Sequence, residues 1–131
     1  MTIRVAVNGF GRTGRQMLRS ALTSHPELEI VAINDLGPAD ALARLFARDS
    51  VHGRYGESVA VEGETMIVGS RHITMLSEAH AKALPWSDLG IDVVIESNGL
   101  LVFNILVVLF FCSNNFKFRV KLFFEFLKYC R

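Results

Sequence analysis

Cysteine, proline and tryptophan are scarce in this 131-residue chain, which has two, three and one of them respectively. The two cysteines, Cys112 and Cys130, are too few for the disulfide network of a small secreted domain, and their spacing matches no zinc motif. The N-terminus shows no basic segment followed by an apolar stretch, so we expect no secretory signal and a cytoplasmic location.

A strong excess of charge is also missing, since the formal net charge is +1 at pH 7. This balance argues neither for nor against an acidic partner. We expect no nucleic-acid partner. The histidines have neither metal-ligand nor nucleophile spacing, so we expect no metal site and interpret each as a surface or structural residue. They are His25, His52, His72 and His80.

The composition changes sharply near residue 99. All ten glycines and all three prolines precede residue 100, whereas eight of the ten phenylalanines and both cysteines follow it. The sequence therefore predicts one globular domain over residues 1–99 and a separate apolar and basic tail over residues 100–131.

A glycine-rich stretch, Asn8-Gly9-Phe10-Gly11-Arg12-Thr13-Gly14-Arg15, stands out in the first part. Gly9, Gly11 and Gly14 match the G-x-G-x-x-G fingerprint of dinucleotide-binding folds. In such folds the first glycine permits a tight strand-to-helix turn, the second lets a pyrophosphate approach the backbone, and the third allows close helix packing. The match alone is weak evidence for dinucleotide binding, so the elements on either side of the motif must support it.

The surroundings of the glycine stretch form a βαβ unit. An apolar strand pattern over 3–7 precedes it, and an apolar stripe with helical spacing follows over 16–23 until His25-Pro26. A second strand pattern covers 29–35 and ends at Asp35, 21 positions beyond Gly14. An acid at this position accepts hydrogen bonds from the adenine-ribose hydroxyls of a dinucleotide, which strengthens the interpretation of the motif.

The remaining patterns predict a partial Rossmann-type fold, an α/β doubly wound parallel sheet with a small antiparallel hairpin insertion. The predicted elements are a helix over 39–47, a turn over 49–55, a hairpin over 59–68, a strand over 71–76, a short helix over 79–84 and a buried strand over 91–96. In such a sheet the last strand can lie beside the first, across the point where ligands bind.

Several stretches together resemble the NAD-binding domain of the glyceraldehyde-3-phosphate dehydrogenase family. They are the glycine stretch, Val31-Ala32-Ile33-Asn34-Asp35, Asp49-Ser50-Val51-His52-Gly53-Arg54, Leu84-Pro85-Trp86 and Asp92-Val93-Val94-Ile95-Glu96-Ser97-Asn98-Gly99. The resemblance covers residues 2–99. Erythrose-4-phosphate dehydrogenase shares these motifs and remains an alternative lineage.

This resemblance implies a cofactor site. The residues that would form it are Asn8, Gly9, Gly11, Arg12, Thr13, Gly14, Asp35, Ser97, Asn98 and Gly99. The backbone N–H groups of Arg12 and Thr13 would bind the pyrophosphate, Asp35 would hold the adenine ribose, and residues 97–99 would lie along the cofactor. The pair Asp35-Leu36 favours NAD over NADP.

The sequence departs from the family pattern at three of its positions. Thr13 replaces the usual isoleucine, with little effect expected on a main-chain contact. Ala79 stands where many members have an arginine near the adenine, and Asn98 replaces the usual threonine. We therefore expect the arginine contact to be missing and a hydrogen bond from residue 98 to be retained by a different side chain.

The family pattern stops after Gly99. The family's nucleophilic cysteine, in a Ser-Cys-Thr-Thr-Asn motif, and its base histidine have no counterpart here, so we assign no catalytic residue and expect no turnover by this chain alone. The sequence favours a dehydrogenase fragment that works in a homo-oligomer or beside an intact dehydrogenase subunit. The alternative is a non-catalytic interaction or membrane-associated fragment.

The tail allows three interpretations. It is the product of a shifted reading frame or an unspliced intron, or it completes the sheet with residues 116–122 beside the strand at 91–96, or it associates with a membrane. Residues 100–112 include 12 apolar residues of 13, fewer than the roughly 17–25 that a membrane span requires.

Overall fold

The computed structural model describes residues 1–98 and the backbone of two tail segments, 107–110 and 120–122. The helices of this part are α1 (Arg12–Ser24) and α2 (Ala39–Ala47). The strands are β1 (Ile3–Asn8), β2 (Leu28–Asn34), β3 (Arg48–Asp49), β4 (Gly53–Arg54), β5 (Val59–Glu62), β6 (Thr65–Val68), β7 (Arg71–Leu76), β8 (Val93–Glu96), β9 (Val107–Phe110) and β10 (Val120–Leu122).

The main sheet has the strand order β10-β9-β8-β1-β2-β7-β6-β5. Its centre is parallel, because β1 pairs in parallel with both β2 and β8, and β2 pairs in parallel with β7. The chain starts at β1, continues to β2, crosses to the edge strand β5 and comes back inward through β6 and β7, which pairs with β2. It then passes to the other side of β1 as β8. The strand order therefore reverses between β1 and β8, where doubly wound sheets bind their ligands.

The middle residues of the central strands β1, β2 and β8 are apolar because both faces of the sheet are covered there. On one face Val5 and Val7 of β1 pack into a core that includes Leu18 of α1 and Phe46 of α2. The intervening residue of β1, Ala6, points to the other face. It belongs there to a smaller cluster of Ala6, Ala32, Trp86, Ile91 and Val94.

Most predicted elements are confirmed. The helix over 39–47, the strand over 71–76 and the hairpin over 59–68 have the expected bounds, and β2 lies one residue earlier than predicted. The short helix predicted over 79–84 is only a 3₁₀ turn, Ala81–Ala83, since Pro85 leaves no room for an α-helix. The predicted turn over 49–55 contains β4 and the last residue of β3, which pair with each other.

The tail pairs differently from the expectation. The strand beside β8 is β9, which runs antiparallel to it, and β10 pairs in turn with β9. The prediction that residues 116–122 lie beside β8 is therefore wrong, because residues 120–122 form β10, one strand further out. Residues 116–119 lie outside the described part. A physical reason is that Val-Val-Leu-Phe in β9 combines β-branched and apolar residues, a composition suited to the flank of a parallel sheet.

Arg19 joins α1 to α2 and to the turn that follows α2. Its Nη2 donates to the carbonyl oxygens of Phe46, at 2.6 Å, and Gly53, at 3.0 Å. The guanidinium carbon also lies 5.5 Å from the ring centroids of Phe46 and Tyr55. A planar guanidinium can stack on the rings while its edge donates to both carbonyl oxygens, whereas a compact ammonium group has no flat face to stack.

We predict that Arg19→Lys lowers the free energy of unfolding by about 2 kcal/mol, because one hydrogen bond to a charged group and the ring stacking are lost. Urea denaturation followed by circular dichroism measures this change. Arg44→Lys is the control, since Arg44 only pairs with Asp40 one turn away on the exposed face of α2, a contact of a few tenths of a kcal/mol. Equal effects of the two variants would contradict the role of Arg19.

Asp49 organises the turn between β3 and β4. Its Oδ1 accepts hydrogen bonds from the backbone N–H groups of Val51 and His52, both at 2.8 Å, and lies 3.2 Å from Nδ1 of His52. These N–H donors, the one of His52 first, lower the pKa of Asp49 from its ordinary value of 3.8 to about 2. The charged carboxylate is therefore favoured by the folded turn.

We predict that this carboxylate stabilises the fold above pH 4 and that its contribution disappears as the pH falls from about 4 to about 2. The sign follows because the pKa is lower in the folded state than in the unfolded state. Denaturation of the wild type and of Asp49→Asn at several pH values checks this. The wild type should lose stability more steeply over that interval, and parallel curves would exclude the contribution.

Candidate functional site

The turn between β1 and α1, residues 9–11, is called the glycine turn below. It contains a glycine that no other residue can replace without strain. Gly9 has a φ of +94°, and its N–H donates to the carbonyl oxygen of Asn34 at 2.8 Å. A Cβ at Gly9 would lie 2.5 Å from the backbone N and Cα of Asn98. Both the backbone conformation and the proximity of the β8 end therefore require glycine here.

Gly14 lets the first turn of α1 press against this bend. A Cβ at Gly14 would collide with the carbonyl oxygen of Gly9, and it would lie 3.0 Å from Oγ of Ser97. The helix can therefore begin directly above the strand ends. This arrangement matches the role predicted for the third glycine of the motif.

Gly11 differs from both, because a Cβ built on it meets no atom within 4 Å. Gly11 is the N-cap of α1, its cap has no side-chain hydrogen bond, and the first helical turn has no acidic residue. Arg12 and Thr13 follow as exposed residues. The helix start thus faces open space with backbone N–H groups and the positive end of its dipole, which suits an anionic group such as a pyrophosphate.

Asp35 lies beside this open space at the end of β2. Its Oδ2 accepts a hydrogen bond from the N–H of Phe10 at 2.7 Å, and its Oδ1 accepts one from the N–H of Gly37 at 2.8 Å. The carboxylate is thereby held against the glycine turn. Each oxygen retains a lone pair for a further donor, such as a ribose hydroxyl.

A row of polar side chains crosses the sheet directly beneath the turn. Asn34, Asn8 and Glu96 are the last residues of β2, β1 and β8, and the strand registers pair Asn8 with both of the others. Nδ2 of Asn34 donates to Oδ1 of Asn8 at 2.8 Å, and Nδ2 of Asn8 donates to Oε2 of Glu96 at 2.7 Å. Both asparagines are buried.

The segment after β8 is attached to the glycine turn from the other side. The N–H of Ser97 donates to the carbonyl oxygen of Asn8 at 2.8 Å, and its Oγ donates to that of Gly9 at 2.5 Å. The N–H of Asn98 donates to Oε1 of Glu96 at 3.2 Å. Gly99, the last predicted site residue, lies outside the described residues.

The structure thus brings together the predicted residues from Asn8 to Gly14 with Asp35, Ser97 and Asn98. The sequence interpretation missed Asn34 and Glu96, which hold this set in place. A signal for them existed, because each is a polar residue that ends an apolar strand run, and parallel strands finish at one edge of the sheet.

The histidines lie apart from this set. His25 pairs with Glu27 at 3.0 Å, and His52 pairs with Asp49, each within its own turn. Among the described residues, no three of histidine, cysteine, aspartate and glutamate come together as a metal site. No helix in that part of the chain is long and apolar enough to cross a membrane.

A parallel sheet with a glycine turn at its switch point and an acid after the second strand defines a Rossmann-type dinucleotide-binding domain. The family model of the glyceraldehyde 3-phosphate dehydrogenase NAD-binding domain matches residues 3–103. The chain belongs to this family.

Individual relatives agree with the family match. Glyceraldehyde-3-phosphate dehydrogenase 1 of Streptomyces arenae is 51% identical over 100 residues, which cover 76% of this chain and 30% of that protein. The enzyme of Chlamydia pneumoniae is 52% identical over 98 residues, covering 75% and 29%. That of Geobacillus stearothermophilus is 43% identical over 99 residues, covering 76% and 29%. The chain therefore spans about 30% of the length of these relatives.

We predict that Gly9→Ala lowers the free energy of unfolding by more than the cost of placing alanine at a positive φ. The left-handed backbone conformation costs a non-glycine residue about 1–2 kcal/mol, and the collision with Asn98 adds to this. Gly63→Ala is the matched control, because Gly63 has a φ of +58° and open space around its Cβ position. Urea denaturation compares the two, and equal losses would show that the β8 end does not constrain Gly9.

Proposed function

We propose that this chain binds NAD across the carboxyl ends of β2, β1 and β8. The observation that carries this proposal is the open space at Gly11, bordered by the uncapped start of α1. The pyrophosphate would lie there, close to the N–H groups of Arg12 and Thr13. The family match supports the same cofactor, since the matching model is that of an NAD-binding domain.

The adenosine half would lie on the side of β2. Asp35 would accept hydrogen bonds from the adenine-ribose hydroxyls while its backbone contacts to Phe10 and Gly37 keep it in place. Its negative charge would repel a 2′-phosphate, and we propose on this basis that NAD is bound in preference to NADP. Leu36, which is 67% exposed, offers no positive charge to compensate.

The nicotinamide half would lie on the side of β8. A dinucleotide that crosses the switch point reaches the strand on the far side of β1. Here this strand ends in Glu96 and is followed by Ser97 and Asn98, with Gly99 as the next predicted contact. The proposal therefore assigns the segment 97–99 to the redox-active half of the cofactor.

In the whole family reaction, this domain would supply the cofactor half of an oxidoreductase of glycolysis. The relatives' names favour glyceraldehyde 3-phosphate over erythrose 4-phosphate as the aldehyde. A nucleophilic cysteine and a base histidine would come from other protein segments. We propose that the domain acts in the cytoplasm and in an assembly with copies of itself or with intact dehydrogenase subunits.

We predict that Gly11→Ala weakens NAD and ADP-ribose binding at least about tenfold, because its methyl group would occupy the space of the pyrophosphate. Its melting temperature should fall by at most a few degrees, since the added Cβ meets no protein atom and only the preference of the N-cap for glycine over alanine opposes the change. Isothermal titration of the full chain with NAD, ADP-ribose and NADP measures the binding, and NADP should bind more weakly than NAD.

Gly56→Ala is the matched control, because a Cβ at Gly56 also meets nothing within 4 Å and Gly56 lies in the loop before β5. This variant should bind as the wild type does. Wild-type affinity in Gly11→Ala would refute the position of the pyrophosphate. No saturable binding by the wild type would refute the function itself and favour an interaction fragment.

A further inference from the structure

The polar row beneath the glycine turn has a fixed direction of hydrogen-bond donation. At one end the backbone N–H of Glu78 donates to Oδ1 of Asn34 at 2.8 Å. A backbone N–H can only donate, so this contact determines which end of the Asn34 amide faces which neighbour. Nδ2 of Asn34 must then point away from that N–H, and it donates both to the carbonyl oxygen of Glu78 and to Oδ1 of Asn8.

The orientation of the Asn34 amide in turn fixes the orientation of the Asn8 amide on β1 and its contact with β8. With Oδ1 of Asn8 facing a donor, its Nδ2 faces Oε2 of Glu96 at 2.7 Å. At the opposite end of the row, the backbone N–H of Asn98 donates to Oε1 of Glu96 at 3.2 Å. Donors therefore reach Glu96 from both sides, and only a group that accepts at two adjacent atoms fits between them. An ionised carboxylate is such a group.

We propose that Glu96 is a positioning residue, which fixes the segment that follows β8 relative to the glycine turn. It thereby sets the distance between the part of the site that binds the pyrophosphate and the part that binds the nicotinamide half. The inference rests on the proposed function and names a determinant of it. Glu96 needs no contact with the cofactor for this role. It acts through Asn8 on the side of the turn and through the Asn98 backbone on the other side.

Glutamine at this position tests the requirement for two acceptors. Gln has the same shape as Glu but carries one oxygen and one NH2 group, so it satisfies only one of the two donors. The Asn8 contact is the shorter and more buried one. Glu96→Gln should therefore keep its oxygen on Asn8 and place its NH2 group against the N–H of Asn98, which displaces that segment.

The expected result is a selective loss of affinity. In Glu96→Gln the dissociation constant for NAD should rise about tenfold, the size expected for one lost hydrogen bond to a charged group. The dissociation constant for ADP-ribose, which lacks the nicotinamide, should change less than about twofold by the same reasoning. Titration calorimetry of the full chain with both ligands gives the ratio of the two constants. Glu62→Gln, at the exposed end of β5, is the control and should leave the ratio unchanged.

A compensating pair separates positioning from general damage to the fold. In Asn8→Asp combined with Glu96→Gln, the aspartate accepts from Nδ2 of Asn34 and from the new glutamine NH2 group. The glutamine oxygen then accepts from the N–H of Asn98, so every donor again has an acceptor, and the net charge is that of the wild type. The double variant should restore the wild-type ratio of NAD to ADP-ribose affinity, whereas Asn8→Asp alone should not.

The outcomes are distinguishable. If wild-type protein binds neither ligand, the proposed function fails. If it binds both and Glu96→Gln weakens them in parallel, or weakens neither, the positioning role is wrong while the function stands. A double variant that folds and binds ADP-ribose but does not recover the ratio would also overturn the role.

Discussion

The proposed cofactor site depends on the close approach of two backbone segments that are 88 residues apart in sequence. The glycine turn after β1 and the residues after β8 pass so near to each other that a single added methyl group at Gly9 would overlap the Asn98 backbone. This approach is achieved because β1 and β8 are adjacent and parallel, so both chains leave the sheet at the same edge. Ser97 then closes the gap with hydrogen bonds to the carbonyl groups of Asn8 and Gly9.

At the ends of parallel strands, polar backbone groups lack partners in the sheet, and in this chain polar side chains form hydrogen bonds there. Where the ladder stops, backbone N–H and C=O groups lose their partners. Asn34 replaces the missing ladder contacts by bonding both the N–H and the carbonyl oxygen of Glu78. Asn8 and Glu96 continue the row to the N–H of Asn98. Buried polar groups are costly unless all are satisfied, and a fully satisfied row makes the arrangement specific.

The local parts of this architecture could be predicted from sequence, whereas its long-range contacts could not. The βαβ unit around the glycine turn and the helix over 39–47 follow from apolar periodicity and from glycine positions, which are properties of neighbouring residues. The contact of Asp35 with the N–H of Phe10 depends on strand pairing, and so does the row through Glu96. Periodicity carries no information on which strand ends meet, so a polar residue at the end of β8 does not by itself show that Glu96 pairs with Asn8.

The tail also shows that sequence periodicity does not predict which strands pair. Its alternating pattern over 116–122 predicts a strand, yet the pairing partner of β8 is Val107–Phe110. Alternation identifies a half-buried strand but does not specify its neighbour, and the run that flanks β8 is nearly uniform in hydrophobicity.

The proposed function assigns cofactor binding and the chemical step to different parts of the protein. The described contacts of the glycine turn come from β1, from α1 and α2, and from the segments that follow β2 and β8, since Phe10 also packs against Phe46 of α2. Hydride transfer from an aldehyde is more demanding, since the reacting atoms must be held within about 3–3.5 Å of each other. On the proposed function, the domain therefore contributes recognition of the cofactor, and the groups that react with the aldehyde would come from another segment or subunit.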